Sequence, residues 1–174
     1  MNKYQIIYAD PPWDVKAGPP WASNGKSQDL EYPTMSLQDI KDLPVGELAD
    51  KDCRLFLWAI NKYLPDSFDV LHAWGFKYST MLVWCKTPNG IGLGGTFSLT
   101  TEYLLFGHKG RVGANKRYDT SWWLEKRGRH SKKPQRFRDI IDETFDGNRV
   151  ELFAREKTPG WHVWGNEVES DIEL

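Results

Sequence analysis

The apolar positions of this chain fall into short runs, not long stripes. Tyr4-Gln5-Ile6-Ile7-Tyr8-Ala9 is too short for a helix and apolar enough for a buried strand. Similar runs at 54–59, 78–84, 102–107 and 149–154 predict four more strands. Between them the spacing changes. Ser36-Leu37-Gln38-Asp39 resembles a capping box with Asp in the place of Glu or Gln, and predicts a short helix stopping near Pro44. A second helix is expected over 67–74, closed by Gly75. Phe137, Ile140, Ile141 and Phe145 recur at helical spacing, so an amphipathic helix is expected to start with Pro134 at its first position and to end at Gly147. Strands alternating with helices predict an α/β fold on a mostly parallel sheet, with ligands at the carboxyl ends of strands. Asp10 and Arg155 lie at two such ends. The stretches 14–33 and 88–95, the second with four glycines, read as loops beside the site that contact substrate. There is no internal repeat and no low-complexity tract.

Composition adds limits. A chain of 174 residues suffices for one domain with a real core, taken here as 1–174. Net charge is -1, but the charge is uneven: positions 109–138 hold eleven Lys/Arg against only Asp119 and Glu125. The densest part is Lys126-Arg127-Gly128-Arg129-His130-Ser131-Lys132-Lys133, with Trp122-Trp123 close by. Basic residues interleaved with aromatics suit phosphates and unpaired bases; the plain alternative is a solvated charged loop. Cys53 and Cys85 stand 32 positions apart, with no zinc-ligand spacing, and two free thiols suit a reducing cytosol. No signal-peptide pattern and no 18-residue apolar stretch occurs, so a cytoplasmic protein is expected, in a prokaryotic or phage-infected cell.

The most informative four residues are Asp10-Pro11-Pro12-Trp13, at the end of the first predicted strand. The exocyclic amine of adenine is a poor nucleophile because its lone pair is delocalised into the ring. It becomes reactive when both N–H bonds point at acceptors and the nitrogen pyramidalises. An ionised Asp10 only accepts hydrogen bonds, and the Pro11 carbonyl is a second acceptor. Neither Pro11 nor Pro12 has a backbone N–H, so the turn is stiff and poor in competing donors. Trp13, an aromatic of exposed type, can stack on the base, a contact worth roughly 1–3 kcal/mol. The bland reading is a proline turn that merely ends a strand.

Taken in order, several segments resemble the DPPW-type adenine-N6 methyltransferases, the family of the catalytic subunit of the eukaryotic messenger-RNA adenosine methyltransferase and of small bacterial and phage DNA-modifying enzymes. They are Asp10-Pro11-Pro12-Trp13, Tyr32-Pro33-Thr34-Met35-Ser36, Leu55-Phe56-Leu57-Trp58, Trp74-Gly75-Phe76, Trp84-Cys85-Lys86-Thr87, the stretch 102–110, Ser131-Lys132-Lys133-Pro134, the stretch 150–155 and Gly165-Asn166. The resemblance implies S-adenosylmethionine as methyl donor. It also implies a Rossmann-like methyltransferase sheet of permuted motif order, with the catalytic strand first and the cofactor strand last. By the same analogy Asp10 contacts both the amine and the methionine end of the cofactor. Lys133 holds the methionine end or a nearby substrate group, and Arg155, Asn166 and Glu167 hold the ribose and its surroundings. Tyr32, Trp58, Lys86 and Glu102 match substrate-pocket positions, while Arg127, Arg129 and Lys132 are expected to meet nucleic acid. Trp161-His162-Val163-Trp164-Gly165 leads into Asn166 and reads as a lid over the cofactor.

The chain departs from the wider methyltransferase pattern in having Arg155-Glu156-Lys157, not a glycine-rich turn, after its last strand. No metal is expected. The leading expectation is N6-methylation of adenine in nucleic acid, on a base flipped out or already unpaired, with DNA preferred. RNA as substrate, a catalytically silent nucleic-acid-binding subunit, and methylation of another amine are the alternatives. No membrane partner is expected; a homodimer or a paralogous partner subunit stays open.

Overall fold

The computed structural model describes residues 3–14, 33–87, 96–128 and 132–174. Most of the two expected loops, together with Tyr32 and Arg129, lies outside the described residues. The chain opens with β1 (Tyr4–Ala9), then α1 (Leu37–Asp42), α2 (Val45–Leu48) and β2 (Ala49–Ala59). A 3-10 turn, Asn61–Tyr63, leads into α3 (Leu64–Ala73), β3 (Lys77–Lys86) and β4 (Thr101–Lys109). β5 (Trp122–Glu125), α4 (Gln135–Thr144), β6 (Arg149–Leu152) and β7 (His162–Trp164) complete it.

The strands form one seven-stranded sheet in the order β5-β3-β4-β2-β1-β6-β7. β4 runs antiparallel to both of its neighbours, β2 and β3, and the other four pairings are parallel. The α/β, Rossmann-like expectation therefore holds. Both sheet faces are covered, which explains the near-continuous apolar strands. On one face Ile7, Ala9, Leu55, Leu57, Leu105, Val150 and Leu152 pack with Ile40, Val45, Val70 and Leu71 of α1, α2 and α3. On the other, Ile6, Tyr8, Phe56, Trp58, Leu104 and Phe106 pack under α4 through Phe137, Ile140 and Ile141. Those three α4 side chains are essentially fully buried, each stabilising the layer by about 1.5–3 kcal/mol.

Element ends differ from the sequence reading in informative ways. Ser36 caps α1 by accepting from the Asp39 N–H at 3.1 Å, and its hydroxyl donates to the Asp39 carboxylate at 2.7 Å. The shorter acid thus reaches the hydroxyl, where Glu would reach the backbone. α3 begins at Leu64, three residues before the expected start, because Pro65 fits its first turn. Gly75, at φ +81°, ends it as expected. Pro134 caps α4 from outside the helix, which stops at Thr144, short of Gly147. Two strands were not foreseen. β5 lies inside the basic stretch, where charged neighbours masked it. β7 lies in the stretch expected as a lid: His162–Trp164 pairs with β6 as an edge strand. Among the described residues no helix is long and apolar enough to cross a membrane.

Candidate active site

β1 lies between β2 and β6; the helices that link it to β2, α1 and α2, pack on one face of the sheet, and α4, which leads into β6, packs on the other. Such a switch point opens a crevice. The crevice here is lined by Asp10, Pro11, Pro12 and Trp13 after β1, by Ile60 after β2, by Phe153, Ala154 and Arg155 after β6, and by Trp164, Gly165, Asn166 and Glu167 at the end of β7. Pro33 and Met35 close one side, and Glu102 and Lys133 the other. Glu102 arrives because β4 is antiparallel to its neighbours β2 and β3, so its first residues sit where those strands end.

The Asp10-Pro11-Pro12-Trp13 turn is tightly tied. The Trp13 N–H donates to the Pro11 carbonyl at 2.8 Å, and the Met35 N–H to the Pro12 carbonyl at 3.1 Å. The Pro11 carbonyl therefore keeps one lone pair for an incoming donor. Trp13 is not an exposed aromatic. It is 4% exposed, its indole N–H donates to the Trp58 carbonyl at 3.2 Å, and one ring face stacks on Tyr63 at 5.4 Å. It forms a fixed wall of the crevice, with one face already taken.

The floor is a chain of alternating charges. Lys133 Nζ lies 3.2 Å from Asp10 Oδ1 and 3.0 Å from Glu102 Oε2. The other oxygen of Glu102 accepts from Lys86. Asp10 keeps 32% of its side chain exposed to the crevice, while Lys133 keeps 11% and Glu102 13%. Lys133 also sits over the Trp58 ring at 5.4 Å, and Lys86 over Trp84 at 4.9 Å, positions that favour a cation. Burial raises the Asp10 carboxyl above the usual range, and Lys133 offsets only part of that. Burial alone would raise Glu102 too, but Lys133 and Lys86 overcome it and hold that carboxyl low. Burial would lower Lys133, yet Asp10 and Glu102 keep its ammonium above the ordinary value. An acceptor open to the crevice is thus held by a cation that stays charged.

The opposite wall carries Arg155, whose Nε is 3.5 Å from Glu167 Oε1, with both side chains about half exposed. Phe153 precedes them at φ +62°, left-handed backbone that a phenylalanine adopts at a cost of order 1–3 kcal/mol. Its ring meets Trp164 edge-on at 5.4 Å. Gly165 allows the ends of β6 and β7 to close up, because a Cβ there would stand 2.2 Å from the Ala154 carbonyl oxygen.

The crevice thus brings together Asp10, Pro11, Pro12, Trp13, Glu102, Lys133, Arg155, Asn166 and Glu167. Two expected substrate residues lie elsewhere. Trp58 is 1% exposed and donates to the Tyr8 hydroxyl at 2.6 Å, so it supports Lys133 from below and offers a base no surface. Lys86 lies behind Glu102 and does not line the crevice. Arg127 is exposed and donates to the Leu99 carbonyl at 3.3 Å. Lys132 and Lys133 border a second cleft with Lys126 and Arg136. Much of the basic stretch is matched by acids outside it: Arg111 by Asp52, Lys116 and Arg136 by Glu143, Lys132 by Glu156 and Arg138 by Glu151. Sequence reading gave no site role to Met35, Ile60 or Phe153, ordinary apolar residues with no chemical signature, and named Trp164 only within the stretch read as a lid.

Residues 4–167 match the MT-A70 family. The type II methyltransferase M.MunI of a Mycoplasma species is 33% identical over 193 residues, covering 99% of this chain and 82% of that protein. An N(6)-adenosine-methyltransferase MT-A70-like protein of Drosophila melanogaster is 30% identical over 179 residues, covering 97% of this chain and 28% of its own length. The N(6)-adenosine-methyltransferase catalytic subunit METTL3 of Homo sapiens is 27% identical over 179 residues, covering 97% and 29%. The chain spans most of the first and under a third of the other two.

Proposed function

Because the chain belongs to the MT-A70 family of methyltransferases, we propose that it transfers a methyl group from S-adenosylmethionine to the N6 amine of adenine in nucleic acid, DNA by preference. The observation that carries this is the meeting of Asp10, Lys133, Arg155, Asn166 and Glu167 in one crevice at the end of β1. The donor set suits the cofactor. The Lys133 ammonium fits its carboxylate, and Glu167 with Asn166 can accept from ribose hydroxyls. When bound there, the cofactor supplies a methyl group on a sulfonium centre. In this reading the cofactor strand, β6, follows the catalytic strand, β1, in the permuted order.

Asp10 and the free lone pair of the Pro11 carbonyl take the two N–H bonds of the amine and turn its lone pair toward the methyl group. These acceptors are fixed before substrate arrives, which is where electrostatic catalysis gains most. As the N–C bond forms and the sulfonium C–S bond breaks to leave a thioether, the amine would shed its proton toward Asp10, the adjoining base with a raised pKa. Trp13 holds one edge of the base. The adenine must leave its stack to enter, and the cleft bordered by Lys126, Lys132 and Arg136 takes its flanking phosphates. DNA is favoured over RNA because a relative matched over most of its length, M.MunI, is a type II methyltransferase.

Nucleoside mass spectrometry tests this. Purified protein and S-adenosylmethionine are incubated with duplex DNA, single-stranded DNA or RNA of one sequence, with Asp10→Ala as control. N6-methyladenine in DNA, lost in the variant, is the expected result. Product in RNA alone would move the assignment to RNA. No product together with no cofactor binding would favour a silent nucleic-acid-binding subunit.

A further inference from the structure

Four buried or half-buried charges meet at the crevice floor, from four separate elements: Asp10 after β1, Lys86 at the end of β3, Glu102 in β4 and Lys133 before α4. Their formal charges sum to zero, two carboxylates against two ammoniums. The order is alternating, so each interior member touches a partner on both sides. Lys86 is the terminal member. It is 12% exposed, lies behind Glu102, and lines no part of the crevice. We propose that Lys86 is a positioning residue that acts on Asp10 through Glu102 and Lys133, by balancing the charge of the floor and clamping one Glu102 oxygen so that the other holds Lys133 against Asp10. This rests on the reading of Asp10 as the acceptor of the substrate amine.

The physical reason is the cost of an unbalanced buried charge. Without Lys86, one ammonium is shared by two carboxylates and the floor carries a net negative charge. The cheapest relief is a proton. It enters the coupled pair of Asp10 and Glu102 at a higher pH than in the intact protein, and belongs to the pair, not to either acid. The other charged or titratable groups around Asp10 do not replace Lys86. Arg155, after β6, faces Glu167 and lowers the Asp10 carboxyl less than Lys133 does, and Arg138 of α4 is held by Glu151 of β6 with two contacts of 2.7–2.8 Å. Tyr8 of β1 stays a neutral phenol because burial raises it.

The test compares wild type, Lys86→Met, Lys86→Arg and the double variant Lys86→Met with Glu102→Gln. The first readout needs neither cofactor nor activity: thermal midpoints from pH 8 down to pH 5. In wild type the paired Glu102 carboxyl is held low and stays charged from pH 8 to pH 5, whereas without Lys86 the coupled carboxylates take up their proton within that range and relieve the stranded charge as pH falls. Lys86→Met should therefore lose most at pH 8, with the deficit narrowing by pH 5. A side chain that only fills space would give the same deficit at both. The second readout is the acid limb of kcat/KM. Lys86→Met should move it up by about one pH unit, a tenfold loss below the limb, with little loss well above it. Lys86→Arg should restore the wild-type limb, and so should the double variant, whose floor is neutral again. An unmoved limb with a pH-independent deficit would overturn the proposal. If wild type methylates nothing, the functional reading falls, while the midpoints still decide the charge balance.

Discussion

Lys132 and Lys133 are neighbours in sequence and opposites in setting. Lys132 is 63% exposed and pairs with Glu156, itself 61% exposed, at 2.6 Å. Lys133 is 11% exposed and pairs with Asp10 and Glu102 at 3.2 and 3.0 Å. The shorter contact is the weaker one in free energy, because water screens both partners and the long side chains must be ordered to make it. The longer contacts matter more, because removing one partner leaves charge stranded away from water. The same contrast separates the basic stretch from the crevice floor. Distance ranks neither; burial does.

Substitutions sharpen that comparison. Asp10→Ala removes the acceptor and should abolish methyl transfer, leaving no N6-methyladenine by mass spectrometry. Lys133→Met should come next. It strands Asp10 and Glu102 together, should destabilise the fold by about 3–5 kcal/mol in denaturant titration, and should weaken cofactor binding measured by calorimetry. Part of that loss should return as pH falls, because protonation relieves the stranded carboxylates. Gly165→Ala must push the Ala154 carbonyl away, at about 1–3 kcal/mol, and should lower cofactor affinity by widening the gap between the ends of β6 and β7. Neutralising Arg127, Arg129 and Lys132 together should leave stability alone, weaken nucleic-acid binding severalfold, and reduce the salt slope by about 0.9 per lost phosphate contact. Unchanged affinity would return that stretch to an ordinary solvated face. Lys132→Met by itself should move the thermal midpoint by less than about 2 °C. A large shift there would break the contrast with Lys133.

Much of this architecture was legible in the sequence, for reasons visible residue by residue. β1 reads as Tyr4–Ala9 because both of its faces are buried, so its apolar run is uninterrupted. α4 reads from Phe137, Ile140 and Ile141 because one side of that helix meets the sheet and the other meets water. β5 was hidden because it is an edge strand with Trp122 and Leu124 exposed, and its pattern merges with the charged stretch. β7 was hidden because three residues carry too little periodicity. At the site, Asp10, Arg155 and Asn166 were legible from their segments. The role of Lys86 was not, since a lysine ending a strand looks alike whether it faces substrate or braces a carboxylate. Its partner Glu102 is sixteen residues away, and only the antiparallel return of β4 brings the two together. Trp58 misled for the same reason: a tryptophan on an apolar strand serves equally as pocket or as support.

The most direct test of the account is the single-turnover rate of Asp10→Asn beside wild type, at a pH well above the acid limb, with folding checked by thermal midpoint. The amide keeps the shape of the carboxylate but can turn its NH2 toward the substrate amine, setting a donor against a donor. A rate lower by about a hundredfold to a thousandfold in a folded protein is the predicted result. Near-normal turnover by Asp10→Asn would contradict the claim that an ionised acceptor at this position orients the amine.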